Sequence, residues 1–160
     1  MPGVKLYVLR HGKSPSSAEA RVTSDFDRPL AAEGRDAVRK AASFLAAKGA
    51  RPALILASPL VRAQQTAVEA AGRLVPKPAV RTYPPLENQM SGMDLFRHLS
   101  EEELPPEVIL VGHQPQLGDL ASYLTGKYFS LKPGGLIAVQ TDGKGKAELL
   151  WSANPSDYPA

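Results

Sequence analysis

The sequence predicts an α/β protein: a three-layer α/β/α sandwich around a mostly parallel sheet with an antiparallel edge. Apolar runs at residues 4–9, 53–57 and 107–111 are typical of buried strands, and segments with helical spacing follow them along the chain. Near the end, the runs 136–141 and 147–152 flank Asp142-Gly143-Lys144-Gly145, which indicates a hairpin. Strands that alternate with helices favour a parallel sheet, and the hairpin supplies the edge.

Composition limits the class of protein before any motif is considered. The 160 residues, 43% of them hydrophobic, are enough for one domain over 1–160 with a real core. The 19 Lys and Arg exceed the 16 Asp and Glu by only 3 and form no long run, which argues against a nucleic-acid partner. The absence of cysteine excludes disulfides and thiolate chemistry. With neither a signal-peptide core nor a membrane-length apolar run, we expect a cytoplasmic protein without a membrane partner.

The first strand, Val4 to Leu9, leads directly into Arg10 and His11. Ligands of open α/β sheets bind beyond the carboxyl ends of the strands, so both side chains stand where chemistry is expected. Gly12 is predicted to let the backbone turn without steric cost. The alternative is a histidine that is merely satisfied at a strand end.

A polar segment, residues 15–29, follows and is predicted to be an irregular loop over this strand end. Its position makes Ser14 and Ser17 candidate phosphate donors, and the alternative is a solvated connector. Residues 30–48 are predicted to form a helix that Gly49 ends, with inward positions at Val38, Ala41, Ala42 and Leu45.

The second strand, 53–57, runs into Ser58-Pro59, which predicts a helix with Ser58 as N-cap and Pro59 as first residue. Arg62 then lies in the first turn. Because helical side chains tilt toward the N-terminus, its guanidinium is expected to reach the same edge of the sheet as His11. The alternative is an ordinary surface arginine.

The middle of the chain carries weaker signals. Residues 79–82 indicate a third strand, 83–92 a loop and 93–99 a short helix. His98 on that helix has apolar neighbours and is predicted to be non-catalytic. Residues 154–160 are expected to form a loose tail.

The strand at 107–111 repeats the first arrangement. Gly112-His113-Gln114-Pro115 places a second imidazole at a strand end, before a helix that Gly126 ends.

Two arginines and two histidines thus converge on one edge of the predicted sheet: Arg10, His11, Arg62 and His113. Guanidinium forks match the oxygens of a tetrahedral oxyanion, so the group predicts a pocket for a phosphate dianion. A metal fits poorly, because no HxxxH or HxH spacing exists and basic neighbours repel cations. A nucleotide-binding P-loop also fails, since Tyr7 replaces its first glycine.

These motifs resemble the histidine phosphatase superfamily, whose fold is called phosphoglycerate mutase-like. Leu9-Arg10-His11-Gly12 is similar to its RHG signature, and compact size favours the SixA-type phosphohistidine phosphatase branch. The other matching segments are Arg28-Pro29-Leu30 with Gly34-Arg35, Ser58-Pro59-Leu60-Val61-Arg62-Ala63-Gln64-Gln65-Thr66 and Val111-Gly112-His113-Gln114-Pro115.

The resemblance implies that His11 is the nucleophile of a phosphatase that needs no metal or cofactor, and that it forms a phosphohistidine intermediate. Arg10, Arg62 and His113 would hold the phosphoryl oxygens during transfer. Water would then hydrolyse the intermediate.

One departure from the family concerns the acid that protonates an alkoxide leaving group. The glutamate of a Pro-Glu-Leu pattern is replaced by Pro85, although Glu87 lies two residues away and is a candidate substitute. A departing imidazole needs the acid less, so phosphohistidine on a protein, of the histidine-containing phosphotransfer type, is the expected substrate. The alternatives are a small phosphoester with the same nucleophile and a non-catalytic phosphate-recognition module.

Overall fold

The structure is a computed structural model that describes residues 3–160. Its strands are β1 (Lys5–Arg10), β2 (Leu54–Ala57), β3 (Ala79–Thr82), β4 (Glu107–Gly112), β5 (Leu136–Thr141) and β6 (Ala147–Ala153). Its α-helices are α1 (Ser17–Ala20), α2 (Ala32–Ala47), α3 (Val61–Ala71), α4 (Gly92–Ser100) and α5 (Gln116–Thr125). Single 3₁₀ turns lie at Pro84–Leu86 and Pro155–Asp157.

All six strands form one sheet in the order β3-β2-β4-β1-β5-β6. The strands β3, β2, β4 and β1 pair in parallel, whereas β5 runs antiparallel to both of its neighbours. The predicted fold class is confirmed, and the hairpin supplies the antiparallel edge as expected. Because four parallel strands end at one edge, the residues that follow β1, β2 and β4 meet there.

Two apolar cores lie on opposite faces of the sheet. Tyr7 and Leu9 of β1 belong to the core under α2 and α3, whereas Leu6 and Val8 belong to the core under α4 and α5. The central strands are buried on both faces, which explains why they are continuous apolar runs rather than alternating patterns. None of the helices described over residues 3–160 combines the length and apolarity required to cross a bilayer.

Two local predictions of the sequence are wrong. Helix α3 begins at Val61 with Leu60 as N-cap, not at Pro59. Ser58 lies before the helix, where its hydroxyl bonds His113 at 2.7 Å and accepts from the Leu60 N–H at 3.3 Å. The C-terminal residues are not a loose tail. Tyr158 is buried, and its hydroxyl donates to the Gly134 carbonyl at 2.8 Å.

The polar segment 15–29 is also more ordered than predicted. The Ser16 hydroxyl accepts from the Glu19 N–H, and the Glu19 carboxylate accepts from the Ser16 N–H. These two bonds form a capping box at the start of α1. Propensity along this segment is weak, and the two reciprocal bonds hold the single helical turn in place.

Gly12 does not make the predicted turn but allows the backbone after β1 to approach α2 closely. Its φ is not in the left-handed region, but a Cβ there would lie 2.6 Å from the Gly34 carbonyl oxygen of α2. A Cβ on Gly34 would in turn collide with the backbone of Lys13. The pair of glycines therefore lets the end of β1 lie directly against the first turn of α2.

Candidate active site

A cavity of about 270 Å³ lies at the carboxyl ends of β1, β2 and β4. Cationic and neutral side chains line it, and no carboxylate is among its lining residues: Arg10, His11, Lys13, Ser14, Arg28, Arg62, Asn88, His113, Gln114 and Pro133. Such a cluster of positive charge favours an anion with several acceptor oxygens.

Hydrogen bonds fix the ring of His11. Its backbone N–H donates to the Gly112 carbonyl of the neighbouring strand at 3.0 Å. Its Nδ1 lies 2.7 Å from the Gly12 carbonyl, which only accepts, so Nδ1 carries the proton. The lone pair is then on Nε2, which lies 3.3 Å from Nε of Arg62. The imidazole is thus held in the tautomer that a nucleophile at Nε2 requires.

The electrostatic surroundings keep that ring neutral. Burial lowers the pKa of His11 to about 3, and the positive charges of Arg62 and Arg10 act in the same direction. The bond to Gly12 acts against this shift without cancelling it. His11 is therefore uncharged throughout the neutral range. Its Nε2 lone pair accepts the 3.3 Å hydrogen bond from Nε of Arg62, which has to pass to a phosphoryl oxygen before Nε2 can attack.

Arg62 is oriented by Asp25, a residue of the ordered segment that precedes α2. Nη1 of Arg62 donates to the Asp25 carbonyl at 2.8 Å and Nη2 to its Oδ2 at 3.1 Å. Oδ1 of Asp25 accepts from Arg28 at 2.9 Å, and the bonds to Arg28 and Arg62 lower the pKa of this carboxyl. Asp25 therefore stays ionised and aims the Nε–H of Arg62 at His11.

Arg10 and His113 each keep a buried nitrogen without a protein partner among the described residues: Nε of Arg10 and Nδ1 of His113. Arg10 is anchored through Nη1 to the Leu131 carbonyl at 2.9 Å, and His113 through Nε2 to the Ser58 hydroxyl at 2.7 Å. Burial lowers the pKa of His113 to about 4, and the His11 and His113 rings lie 5.1 Å apart. Unpaired buried polar atoms are costly, and an oxyanion in the cavity would satisfy the Arg10 N–H.

The structure brings the four predicted residues Arg10, His11, Arg62 and His113 together around this cavity. The other predicted residues are placed differently. Ser14 lines the cavity, but its hydroxyl donates to the Pro29 carbonyl at 2.6 Å. Ser17 and Glu87 are not among the lining residues.

Sequence reasoning missed five lining residues: Lys13, Arg28, Asn88, Gln114 and Pro133. Lys13 and Gln114 adjoin predicted residues, and Arg28 lies in a segment already matched to the family, so adjacency could have found them. Asn88 adjoins the candidate acid Glu87, so adjacency could have found it as well, whereas Pro133 carries no such signal. Over residues 3–160, no group of three or more His, Asp or Glu side chains is arranged to hold a metal ion.

Fold and site together define an α/β protein with a cationic cavity beside an uncharged imidazole, an arrangement suited to a phosphoryl group. The model of the histidine phosphatase superfamily (branch 1) matches residues 6–90, and the chain belongs to that family. It is a phosphatase of this superfamily, and its fold is phosphoglycerate mutase-like.

Relatives support the placement. An uncharacterized protein of Picosynechococcus is 35% identical over 145 residues, which cover 86% of each chain. Phosphohistidine phosphatase SixA of Escherichia coli is 25% identical over 158 residues, 95% of this chain and 94% of SixA.

Solved structures share the fold. The protein histidine phosphatase SixA complexed with tungstate matches with a TM-score of 0.86 at 24% identity, over 96% of this chain and 99% of that one. A mycobacterial glucosyl-3-phosphoglycerate phosphatase matches with a TM-score of 0.66 at 19% identity, over 92% of this chain and 97% of that one.

Proposed function

We propose that this phosphatase hydrolyses phosphohistidine carried by another protein, through a covalent phosphohistidine intermediate on His11. The observation that carries the proposal is the fixed tautomer of His11, whose Nε2 lone pair lies next to Arg62 inside the cationic cavity. Similarity to phosphohistidine phosphatase SixA over nearly the whole chain supports the same substrate class.

In the first step, Nε2 of His11 attacks phosphorus as the substrate P–N bond breaks. The electron pair of that bond goes to the departing imidazole, which leaves neutral if its other nitrogen already carries a proton. Arg10, Arg62 and His113 bind the equatorial oxygens, where the charges of the two guanidinium groups and the hydrogen bonds of all three side chains stabilise the transfer. The proton on Nδ1 of His11 stays on its bond to Gly12 throughout.

In the second step, water attacks the phosphorus of the intermediate and His11 departs. Because Nδ1 has kept its proton, the ring leaves as a neutral imidazole in its starting tautomer. Neither step requires a carboxylic acid, which agrees with a cavity whose lining residues include none.

A protein-borne side chain suits the mouth of this cavity. Lys13 and Asn88 line it and are themselves exposed to solvent, so the cavity opens at the surface. A phosphorylated side chain on another protein can therefore reach His11 without a lid having to move.

The test is hydrolysis of a phosphorylated histidine-containing transfer protein, free phosphohistidine and alkyl phosphate esters, with acid-labile labelled phosphate measured on the enzyme. We expect preference for the phosphohistidine substrates and label on the wild type. His11→Ala should lose the label and at least about 10³-fold of the turnover, the scale of losing a nucleophile. His98→Ala, on the exposed face of α4, is the matched control and should match wild type.

Two results would contradict the proposal. Preference for an alkyl phosphate would indicate the small-phosphoester alternative. Phosphopeptide binding without any enzyme-bound label would indicate a recognition module.

A further inference from the structure

Most cations of the catalytic cavity and its two amides come from different layers of the fold; the exception is Arg10, which stands at the end of β1 and bonds the carbonyl of Leu131 in the core under α4 and α5. The cationic residues Lys13, Arg28 and Arg62 come from segments associated with α2 and α3, one outer layer of the sandwich. Asn88 and Gln114 come from the segments that lead into α4 and α5, the opposite layer. The two amides are therefore available to the leaving group of a phosphoryl group that the cations hold.

Asn88 is held firmly on this amide side. Its backbone has φ 72°, a conformation that asparagine tolerates better than most residues. Its Nδ2 donates to the Gln114 carbonyl at 2.9 Å, and its Oδ1 accepts from the Gln116 N–H at 2.9 Å. One N–H and one lone pair of the amide remain for a ligand.

Gln114 is fixed in a similar way. Its Oε1 accepts from the Gly118 N–H at 2.6 Å, and a Cβ on Gly118 would lie only 2.8 Å from the Gln114 Nε2. The amide therefore lies flat against the first turn of α5. Two ordered neutral groups, neither able to give up a proton at neutral pH, thus form this wall of the cavity.

We propose that Asn88 and Gln114 form a leaving-group subsite that selects phosphoramidates against alkyl phosphate esters. This inference rests on the proposed function. When the P–N bond breaks and the bond from phosphorus to His11 forms, the departing imidazole keeps its own proton on the distal nitrogen, and an amide oxygen accepts that N–H. An alkoxide has no such proton and needs an acid, which an amide does not replace.

The test converts the amide into an acid. With N88D, the kcat/KM for an alkyl phosphate should rise about tenfold or more, a part of the 10²–10⁴-fold that a positioned general acid supplies. The gain should decline as pH rises, because only the protonated carboxyl donates. The kcat/KM for free phosphohistidine should fall at neutral pH, because the ionised carboxyl repels the phosphoryl group and no longer donates to the Gln114 carbonyl.

Two further variants keep the test decisive. Gln89→Glu adds the same charge next to Asn88 but outside the catalytic cavity, and it should leave both activities unchanged. Q114E places a carboxyl on the same wall and preserves the bond from Gly118, so it serves if N88D does not fold by circular dichroism.

Folded N88D and Q114E that keep the wild-type ratio of the two activities would overturn the inference and leave the proposed function standing. A wild-type enzyme without preference for phosphohistidine would instead overturn the proposed function.

Discussion

The chemistry of the site depends on which nitrogen of one imidazole carries the proton. The Gly12 carbonyl fixes that proton on Nδ1 of His11, and burial among cations keeps the ring neutral. Asp25 contributes indirectly, because it holds both terminal nitrogens of Arg62 and leaves Nε–H to face His11. A residue outside the family motifs therefore sets the geometry of a residue within them.

Arg62→Lys tests this geometry at the scale of the residue. Lysine keeps the charge but lacks the planar guanidinium fork. It therefore cannot donate two hydrogen bonds to Asp25 and a third to Nε2 of His11. We expect kcat/KM for phosphohistidine to fall about 10²-fold, the loss typical of one donor to a transition-state oxyanion. Arg73→Lys, on an exposed arginine after α3, is the control. Equal activity of the two variants would contradict the role given to the fork.

At the scale of the element, the site exists because strand ends are held tightly against helix starts. Gly12 and Gly34 remove the two side chains that would separate β1 from α2. Ser58, at the end of β2, bonds His113 at the end of β4 and so couples two neighbouring strand ends. Loop residues after the strands are thereby placed by the rigid sheet.

Gly34→Ala is the corresponding prediction. Alanine normally stabilises a helix relative to glycine, but here its Cβ would collide with the Lys13 backbone. We expect the free energy of unfolding to fall by about 1–3 kcal/mol, as for overpacked sites, in denaturant titration. Gly72→Ala, whose Cβ would meet no atom closer than 3.6 Å, should leave stability nearly unchanged. A stabilised Gly34→Ala variant would show that the backbones are not in contact.

At the scale of the whole molecule, the net charge of +3 is mild, whereas the cavity concentrates cations. The fold therefore has to keep two buried histidines neutral beside them. Their pKa values of about 3 and about 4 lie below the ordinary value of 6.5. This arrangement links folding to pH.

The sign of that linkage follows from the direction of the shifts. Below pH 6.5 the histidines bind protons in the unfolded chain but not in the folded one. The stability that the two neutral histidines contribute is therefore present above pH 6.5, and it is lost as pH falls toward 4. At pH 5.5 each of the two histidines lowers the free energy of unfolding by about 1.3 kcal/mol relative to pH 7.

We expect the free energy of unfolding of His113→Ala to fall less than that of wild type between pH 7 and 5.5. The difference should be about the contribution of one histidine, measured by denaturant titrations without phosphate. The exposed His98→Ala should retain the wild-type slope. A wild-type slope in His113→Ala would show that His113 is not held neutral.

Much of this molecule followed from local patterns. Apolar runs predicted the strands, and Arg10, His11 and His113 were found because they stand directly at strand ends. The start of α3 was misjudged because Ser58 lies before the helix, where its hydroxyl bonds His113, a residue distant in sequence. The tail was misjudged because the partner of Tyr158, the Gly134 carbonyl, is distant in sequence.

The sequence by itself determined the sheet, its antiparallel edge and the identity of the two arginines and two histidines that line the cavity, because burial periodicity and strand-end position are local properties. Only the tertiary structure decided that Asn88 and Gln114 face the cavity, that Glu87 and Ser17 do not line it, and that Asp25 aims Arg62. Those placements depend on contacts between segments far apart along the chain, which no local pattern encodes.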